Sequence, residues 1–402
     1  MHRPASTTAL ACVIGTMDLV RPLGLAGVRC AVVARPHARV RYSRFVSEVI
    51  EWANPWHEPE ELAGRLMAFA RRQPEKPVLF YEGDWDLLLV SRLRDRLSGA
   101  FRFVVPDRDL VERVVDKHLF AALAVEAKLP VPPSRRLPAG SPADGLDLRF
   151  PLIVKPLTRQ VATWGSVGGG RKAVQVEHMG ALRQVLGQLA ETAADVVVQE
   201  IVSGPETRIE SHHAYVDATG AVAGEFTGRK LRTHPPQYGF SSALEITAAR
   251  DVAELGREVL ARLDLRGVAK LDFKRDDEGR LHLLEINPRF SLWHHAGALA
   301  GVNIPALVYA DALGLPRPAV GPIRAGVQWC HPGRDARARH DAGIPLVPWV
   351  RWLIACEAKS GLALDDPRPA LQGTIAKAAG GAKRAVSRRA PSLMRADPPA
   401  AR

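Results

Sequence analysis

The first hundred residues alternate short apolar runs with segments of helical periodicity, and this alternation constrains the fold more than any other feature of the chain. The expected strands are residues 10–14, 29–33, 78–81 and 101–105, and the expected helices between them are residues 19–26, 58–71 and 85–97. Parallel neighbours in a sheet need a crossover of about a dozen residues. The pattern therefore predicts a doubly wound, parallel α/β domain over residues 1–105.

A second, two-lobed α+β region is expected after a helix at residues 107–128, which the prolines of residues 129–133 must end. Three short strands (152–155, 174–176 and 196–200), a glycine-rich loop and a helix at 180–191 predict a small lobe over about residues 130–200. In the large lobe, about residues 201–315, two apolar strands (267–274 and 281–286) flank the turn signal Asp-Asp-Glu-Gly and predict a hairpin.

The net charge of +12 is concentrated at the end of the chain. Residues 373–402 contain seven Lys or Arg against one Asp, and they lack the apolar residues that would make a core, so we expect this tail to be disordered. The tail predicts no specific nucleic-acid partner, because it carries no recognisable module. Residues 316–372 form a C-terminal extension, whose Trp349 and Trp352 we expect to pack onto the body of the protein. Contact of the extension and tail with a membrane surface is the alternative.

The cysteines give an indication of the compartment. Cys12, Cys30, Cys330 and Cys356 are too scattered for a disulfide framework or a zinc site, which is typical of a cytoplasmic protein. The apolar stretches are too short, or too interrupted by charge, to predict an export signal or a membrane span. We therefore expect a cytoplasmic protein whose oligomeric state the sequence leaves open, with a homodimer compatible with it.

The predicted hairpin carries the chain's clearest chemistry. Alternation places Lys270 and Asp272 on one face of the first strand and Glu285, Asn287 and Arg289 on one face of the second. Carboxylate and amide oxygens suit Mg²⁺, which takes one or two protein carboxylates together with substrate phosphates. A solvated face with cross-strand ion pairs is the alternative interpretation of the same residues.

These residues also resemble the signature of the ATP-grasp superfamily. Asp272 followed by Leu-Glu-Ile-Asn-Pro-Arg at 284–289 is similar to its metal-binding motif. Upstream, Asp-Lys at 116–117, Ile-Val-Lys-Pro at 153–156, a glycine-rich loop and Gln-Glu-Ile-Val-Ser-Gly-Pro-Glu at 199–206 occur in the order seen in D-alanine ligases and biotin carboxylases. The resemblance covers residues 10–315 and is strongest to carboxylate-amine ligases related to D-aspartate ligase. It implies that residues 1–105 are a pre-ATP-grasp domain and residues 106–315 an ATP-grasp domain.

The resemblance implies a role for each matching residue. Lys117 and Lys155 would contact the phosphates of ATP, and the loop containing Gly168 and Gly169 would close over the transferred phosphate. The interdomain segment would hold adenine and ribose, and the hairpin would hold Mg²⁺ or Mn²⁺ and stabilise the moving phosphoryl group. The adenine and ribose residues are Gln199, Glu200, Val202 and Glu206; the metal ligands are Asp272, Glu285 and Asn287; the charge-stabilising residues are Lys270 and Arg289.

Substrate recognition is expected outside this shared machinery. Residues 228–239 are polar and cationic and are expected to form a loop in which Arg232 binds a carboxylate, while Lys230 faces the γ-phosphate. His294 would line the acceptor side. The implied function is an ATP-dependent ligase that joins small-molecule carboxylate and amine substrates through an acyl phosphate. A nucleotide-binding regulatory or scaffolding protein and a carboxylate-thiol ligase remain the alternatives.

Overall fold

A computed structural model describes residues 8–372 except positions 139, 144, 158–163, 165–166, 168–172 and 191–194. The first sheet has four parallel strands in the order β3-β2-β1-β4, which confirms the predicted doubly wound domain. Its inner strands are wholly apolar and buried, as parallel strands covered on both faces must be. The elements of this domain are β1 (Ala11–Ile14), α1 (Met17–Leu25), β2 (Cys30–Ala34), β3 (Val46–Glu51), α2 (Pro59–Ala70), β4 (Val78–Tyr81), α3 (Asp84–Arg92) and α4 (Arg94–Ser98).

Two predictions are wrong, namely the strand at residues 101–105 in this domain and the single helix at residues 107–128 after it. Residues 101–105 do not form a strand, because only Arg102 makes an isolated bridge, to Val78. The fourth strand is β3, which the sequence reading missed because an edge strand is half exposed and carries polar residues. The single helix expected at 107–128 is two helices, α5 (Arg108–Val115) and α6 (Lys117–Glu126). They separate at Asp116, whose backbone is extended and whose carboxylate accepts the amide hydrogen of Leu119 at 3.0 Å.

The small lobe is a four-stranded antiparallel sheet in the order β5-β8-β6-β7. Its apolar strand positions pack against α7 through buried residues such as Val154, Leu182 and Val198. The three predicted strands and the predicted helix of this lobe are present, and β5 is a fourth strand that the sequence analysis did not predict. The elements are β5 (Ser134–Leu137), β6 (Leu152–Pro156), β7 (Val174–Val176), α7 (Met179–Ala190) and β8 (Val196–Glu200).

The large lobe is built on a seven-stranded sheet in the order β13-β12-β9-β10-β11-β14-β15. The predicted hairpin forms its edge, and the last two strands come from the C-terminal extension. Trp293 and Trp329 are fully buried in the core that this sheet shares with the first domain. The elements are β9 (Ile209–Val216), β10 (Val222–His234), β11 (Phe240–Thr247), α8 (Arg250–Arg262), β12 (Gly267–Arg275), β13 (Leu281–Asn287), α9 (His294–Leu299), α10 (Ile304–Leu313), β14 (Gln328–Cys330), α11 (Pro332–Asp341), α12 (Leu346–Ala355) and β15 (Ala358–Lys359).

The loop predicted at residues 228–239 is also wrong, because residues 228–234 belong to the long central strand β10. The cations of this strand form ion pairs with carboxylates on other elements, including Glu245 and Asp335, and these pairs allow them to lie in a sheet. All four cysteines are buried and unpaired. Among the described residues, no helix combines the length and apolarity needed to span a bilayer.

Candidate active site

A cavity of about 540 Å³ lies between the first domain, the small lobe and the hairpin edge of the large sheet. Each of the three units contributes polar side chains to its wall. Nine of the residues predicted from the sequence line it, namely Lys117, Lys155, Gln199, Glu200, Val202, Glu206, Lys230, Asp272 and Glu285. Gly168 and Gly169 lie outside the described residues.

The register of the hairpin brings the two carboxylates together. Asp272 on β12 pairs directly with Glu285 on β13, and Lys270 pairs with Asn287. Asp272 is 2% exposed; one carboxylate oxygen accepts from Lys270 Nζ at 2.5 Å, and the other accepts from the Ser211 hydroxyl. These contacts hold the carboxylate in one orientation.

The oxygen donors present fit Mg²⁺. Asp272 and Glu285 supply carboxylates at the cavity wall, and Asn287 Nδ2 donates to Glu285 Oε1 at 3.2 Å, so the amide lies beside them. Within the described ranges there is no group of three or more His, Cys, Asp or Glu side chains arranged for a metal. Two carboxylates with an amide are nevertheless the set that Mg²⁺ uses when substrate phosphates and waters complete its octahedron.

Three of the predicted residues lie directly behind the cavity wall. Lys270, Asn287 and Arg289 are not among the described lining residues, but each contacts one that is. Arg289 Nε donates to Asp84 Oδ1 at 2.5 Å, and its Nη2 donates to Asn287 Oδ1 at 3.1 Å. The guanidinium therefore joins the hairpin to the first turn of α3 in the first domain.

Asp84 was not predicted from the sequence, although a signal for it exists. It begins the helix that follows β4, and ligands of open α/β sheets bind beyond the carboxyl ends of the strands. Its neighbours Glu82 and Asp86 are partly buried, and desolvation raises the pKa of Glu82 to about 7 and that of Asp86 to about 6, against hydrogen bonds and the nearby Arg289. Trp56 and Trp85, with ring centroids 4.1 Å apart, complete this side of the cavity.

Lysines from four different elements face the cavity, and one of them is Lys230 on β10. Lys155 on β6 donates to Gln199 Oε1 at 2.8 Å, and Lys117 at the start of α6 donates to the Pro156 carbonyl at 2.6 Å. Burial lowers the pKa of Lys155, while Glu285 and Glu206 oppose the shift. Lys274, which sequence reasoning missed, also lines the cavity, and burial lowers its pKa too. The alternation that selected Lys270 and Asp272 would also have selected Lys274.

The segment between the lobes lies along the same wall. Gln199, Glu200 and Val202 line the cavity, and Glu206 begins a short 3-10 helix there. The carboxylate of Glu200 accepts from the backbone and guanidinium of Arg149, both at 3.0 Å. Burial raises the pKa of Glu200, but the Arg149 hydrogen bonds outweigh it and the net shift is downward. The Glu200 side chain is thus occupied, so any contact of this residue with a nucleotide falls to its backbone.

Arg232 and His294 are not brought into the cavity. The Arg232 guanidinium donates two hydrogen bonds of 2.8 Å to Asp335 on α11 and stacks on Trp352. His294 is fully buried at the start of α9, with Nδ1 2.8 Å from the Ser291 carbonyl oxygen. Burial lowers the pKa of His294 to about 4. Both side chains contact other parts of the protein and do not line the cavity in this structure.

The chain is similar to known proteins in both sequence and fold. Residues 194–331 match the family model described as ATP-grasp in the biosynthetic pathway with Ter operon. A D-aspartate ligase from Enterococcus faecium is 25% identical over 288 residues, which is 68% of each chain. An ADP complex of N5-carboxyaminoimidazole ribonucleotide synthetase superposes with a TM-score of 0.61 at 14% identity, covering 81% of this chain and 82% of that one. An L-amino acid ligase from Bacillus licheniformis gives 0.59 at 14% identity, covering 81% and 79%.

Proposed function

We propose that this chain is an ATP-dependent carboxylate-amine ligase of the ATP-grasp superfamily, because residues 194–331 match an ATP-grasp family model and the chain is similar to a D-aspartate ligase. A carboxylate oxygen attacks the γ-phosphorus of ATP and releases ADP; an amine then attacks the acyl phosphate, loses a proton and expels phosphate. The observation that carries the proposal is the pairing of Asp272 with Glu285 in a cavity that Lys117 and Lys155 also line. The similarity to D-aspartate ligase supports the amide-forming class.

The residues between the lobes hold the nucleotide. Backbone groups of residues 199–202 bind adenine, and the Glu206 carboxylate accepts from the ribose hydroxyls. Lys117 and Lys155 approach the phosphates from α6 and from the small lobe, so the nucleotide bridges the two. Because a lysine ammonium is a point charge on a flexible stem, both can follow the phosphates as the site closes.

The residues of the hairpin stabilise the negative charge of the phosphoryl group during its transfer. Asp272, Glu285 and Asn287 would hold Mg²⁺, which neutralises phosphate charge and aligns the transferred group when bound. Lys270 and Arg289 lie one contact behind the wall, where they orient Asp272 and Asn287 and add positive potential. Lys230 lines the cavity and is the cation that we assign to the γ-phosphate or the substrate carboxylate. The chain needs no nucleophile of its own, because catalysis consists of positioning and electrostatic stabilisation.

The test is release of ADP and phosphate from Mg-ATP by the purified protein, with pooled amino acids and small carboxylates present or omitted. Hydroxylamine replaces the amine in a parallel series, because it converts an acyl phosphate into a hydroxamate that a ferric assay detects. Glu285→Gln, purified in the same way, measures the background from contaminating ATPases.

Release that depends on the pool, together with hydroxamate formation, supports the ligase, and dividing the pool identifies the substrates. Pool-dependent ADP release that forms a thioester when thiols replace amines would favour the thiol ligase instead. Binding of Mg-ATP without pool-dependent release or hydroxamate would contradict the proposal and favour a regulatory protein on the same fold.

A further inference from the structure

Helix α12 is apolar except for Arg351, although it packs on one side only. Its inner side uses the two tryptophans: Trp349 Nε1 donates to Asp335 at 2.8 Å, and the Trp352 ring lies 4.1 Å from the Arg232 guanidinium. These contacts fix the extension to the large sheet, as the sequence led us to expect. They also fix which side of the helix faces away from the protein.

The outer side carries four aliphatic side chains, which we call the aliphatic face. Leu346, Val347, Val350 and Ile354 are 58%, 62%, 37% and 73% exposed. Leu346, Val350 and Ile354 follow one another at intervals of four, so they form a stripe along the helix. The outward side of an ordinary surface helix is polar.

Exposed large apolar side chains are concentrated in α12 and in the residues that follow it. Seven of the fifteen strongly exposed large apolar side chains in the described residues lie between positions 346 and 371. Besides the aliphatic face they include Leu362, Leu364 and Leu371. Scattered exposed apolar residues are normal, but a local concentration of this kind marks an interaction surface.

Positive charge accompanies the aliphatic face, on the helix itself and later in the sequence. Arg351 is exposed on the same helix, and the following residues 373–402 carry seven Lys or Arg against one Asp. An apolar helix surface joined to a cluster of cations is the combination that binds anionic lipid: the side chains enter the acyl boundary, and each cation near the surface adds attraction.

We propose that the aliphatic face docks on the surface of an anionic lipid bilayer, with residues 373–402 supplying electrostatic attraction. A protein partner explains the aliphatic face less well than a bilayer does. A stable protein–protein interface buries about 800 Å² of accessible surface on each partner, and four side chains of a ten-residue helix provide far less. Lipid binding has no such threshold, since shallow insertion and charge act together.

The proposal does not depend on the ligase activity. The aliphatic face contributes no residue to the cavity wall among the described residues. Glu285→Gln should therefore bind vesicles as the unaltered protein does, so that failure of membrane binding and failure of the proposed function can be told apart.

The experiment is flotation of the full-length protein with phosphatidylcholine vesicles that contain or lack phosphatidylglycerol. We expect binding to the anionic vesicles only, weakening at high salt. The double variant L346S/I354S should lower the partition coefficient about tenfold or more, because two aliphatic side chains no longer insert. K383Q/R384Q/R388Q/R389Q should lower it about a thousandfold. The matched control is Leu25→Ser, which alters a leucine that is 45% exposed on α1 and should leave binding unchanged.

Circular dichroism and urea unfolding show whether each variant is folded. Equal binding to neutral and anionic vesicles, or no binding to either, would overturn the proposal. Full binding by folded L346S/I354S would also overturn it, because the aliphatic face would then play no part. A dimer in light scattering that L346S/I354S dissociates would assign the surface to a second copy of the chain instead.

Discussion

Lys270 on β12 and Arg232 on β10 are cations of the same sheet, and the sequence placed both in the active site, yet they have different surroundings. Lys270 donates to Asp272, beside the cavity, while Arg232 forms a bidentate ion pair with Asp335, a residue 103 positions further along the chain. Strand alternation predicts which side chains share a face. It does not predict which distant element covers that face, and α11 covers Arg232 here.

The two ion pairs also differ in the other hydrogen-bond partners of their carboxylates. Asp335 is fully buried and accepts from Ser242 and Trp349 as well as from Arg232, so all its partners belong to the protein. Asp272 accepts from Lys270 and Ser211, and its neighbour Glu285 lines the cavity. The first pair therefore closes a structural contact, whereas the second supports an open site. Substitutions should separate the two: activity is lost in one case and stability in the other.

The largest effect is expected at Glu285. Glu285→Gln keeps the shape of the side chain but removes a charge that we assign to metal binding. Turnover should fall about a thousandfold, because a metal ligand supplies several kcal/mol of transition-state stabilisation and each ~1.4 kcal/mol is a factor of ten. Steady-state ADP release at several Mg²⁺ concentrations measures the loss, and the melting temperature should be unchanged.

The matched control is Glu278→Gln, which makes the same change in the hairpin turn, where Glu278 pairs with Arg280 at 2.9 Å outside the cavity. It should keep full turnover. Substantial activity in Glu285→Gln, or equal loss in both variants, would remove the metal assignment from Glu285.

A smaller effect, on stability, is expected at Arg232. Arg232→Met leaves the Asp335 carboxylate buried without its cation, and breaking a buried pair in this way costs about 3 kcal/mol or more. Urea unfolding should show that loss, while turnover per folded molecule stays within about twofold because Arg232 is outside the cavity. The double variant R232M/D335N should recover part of the stability, since no unpaired charge remains.

An increased KM for a carboxylate substrate in Arg232→Met, without loss of stability, would contradict this assignment. Arg232 would then belong with Lys230 on the substrate side. Arg232 and Lys270 would then both serve the active site, and the ion pair of Arg232 with Asp335 would open when substrate binds.

Local pattern was sufficient for the parallel sheet, the hairpin and the pairing of Asp272 with Glu285, because strand alternation and turn residues act over short distances. It was insufficient for β3, whose polar edge positions hide the strand, and for residues 228–234, whose cations resemble a loop until their partners are known. Asp84 was missed because its partner is also distant in the sequence. Its meeting with Arg289 joins residues 205 positions apart, and only the packing of the first domain on the hairpin creates it.

The smallest effect is expected at His294, which the sequence also placed at the substrate site. It concerns how the free energy of unfolding depends on pH, and it tests whether His294 is a buried neutral residue. Burial lowers the pKa of His294 from its ordinary 6.5 to about 4, so below pH 6.5 the unfolded chain binds a proton that the folded protein excludes. Its contribution to stability is complete above pH 6.5 and is lost as the pH falls toward 4, amounting to about 2 kcal/mol by pH 5. Other buried histidines such as His213 act in the same direction, so the measurement is the difference between the unaltered protein and His294→Asn in urea unfolding at pH 7 and pH 5. His294→Asn should lose less stability on acidification, and equal losses would show that His294 is not the buried neutral group that the structure makes it.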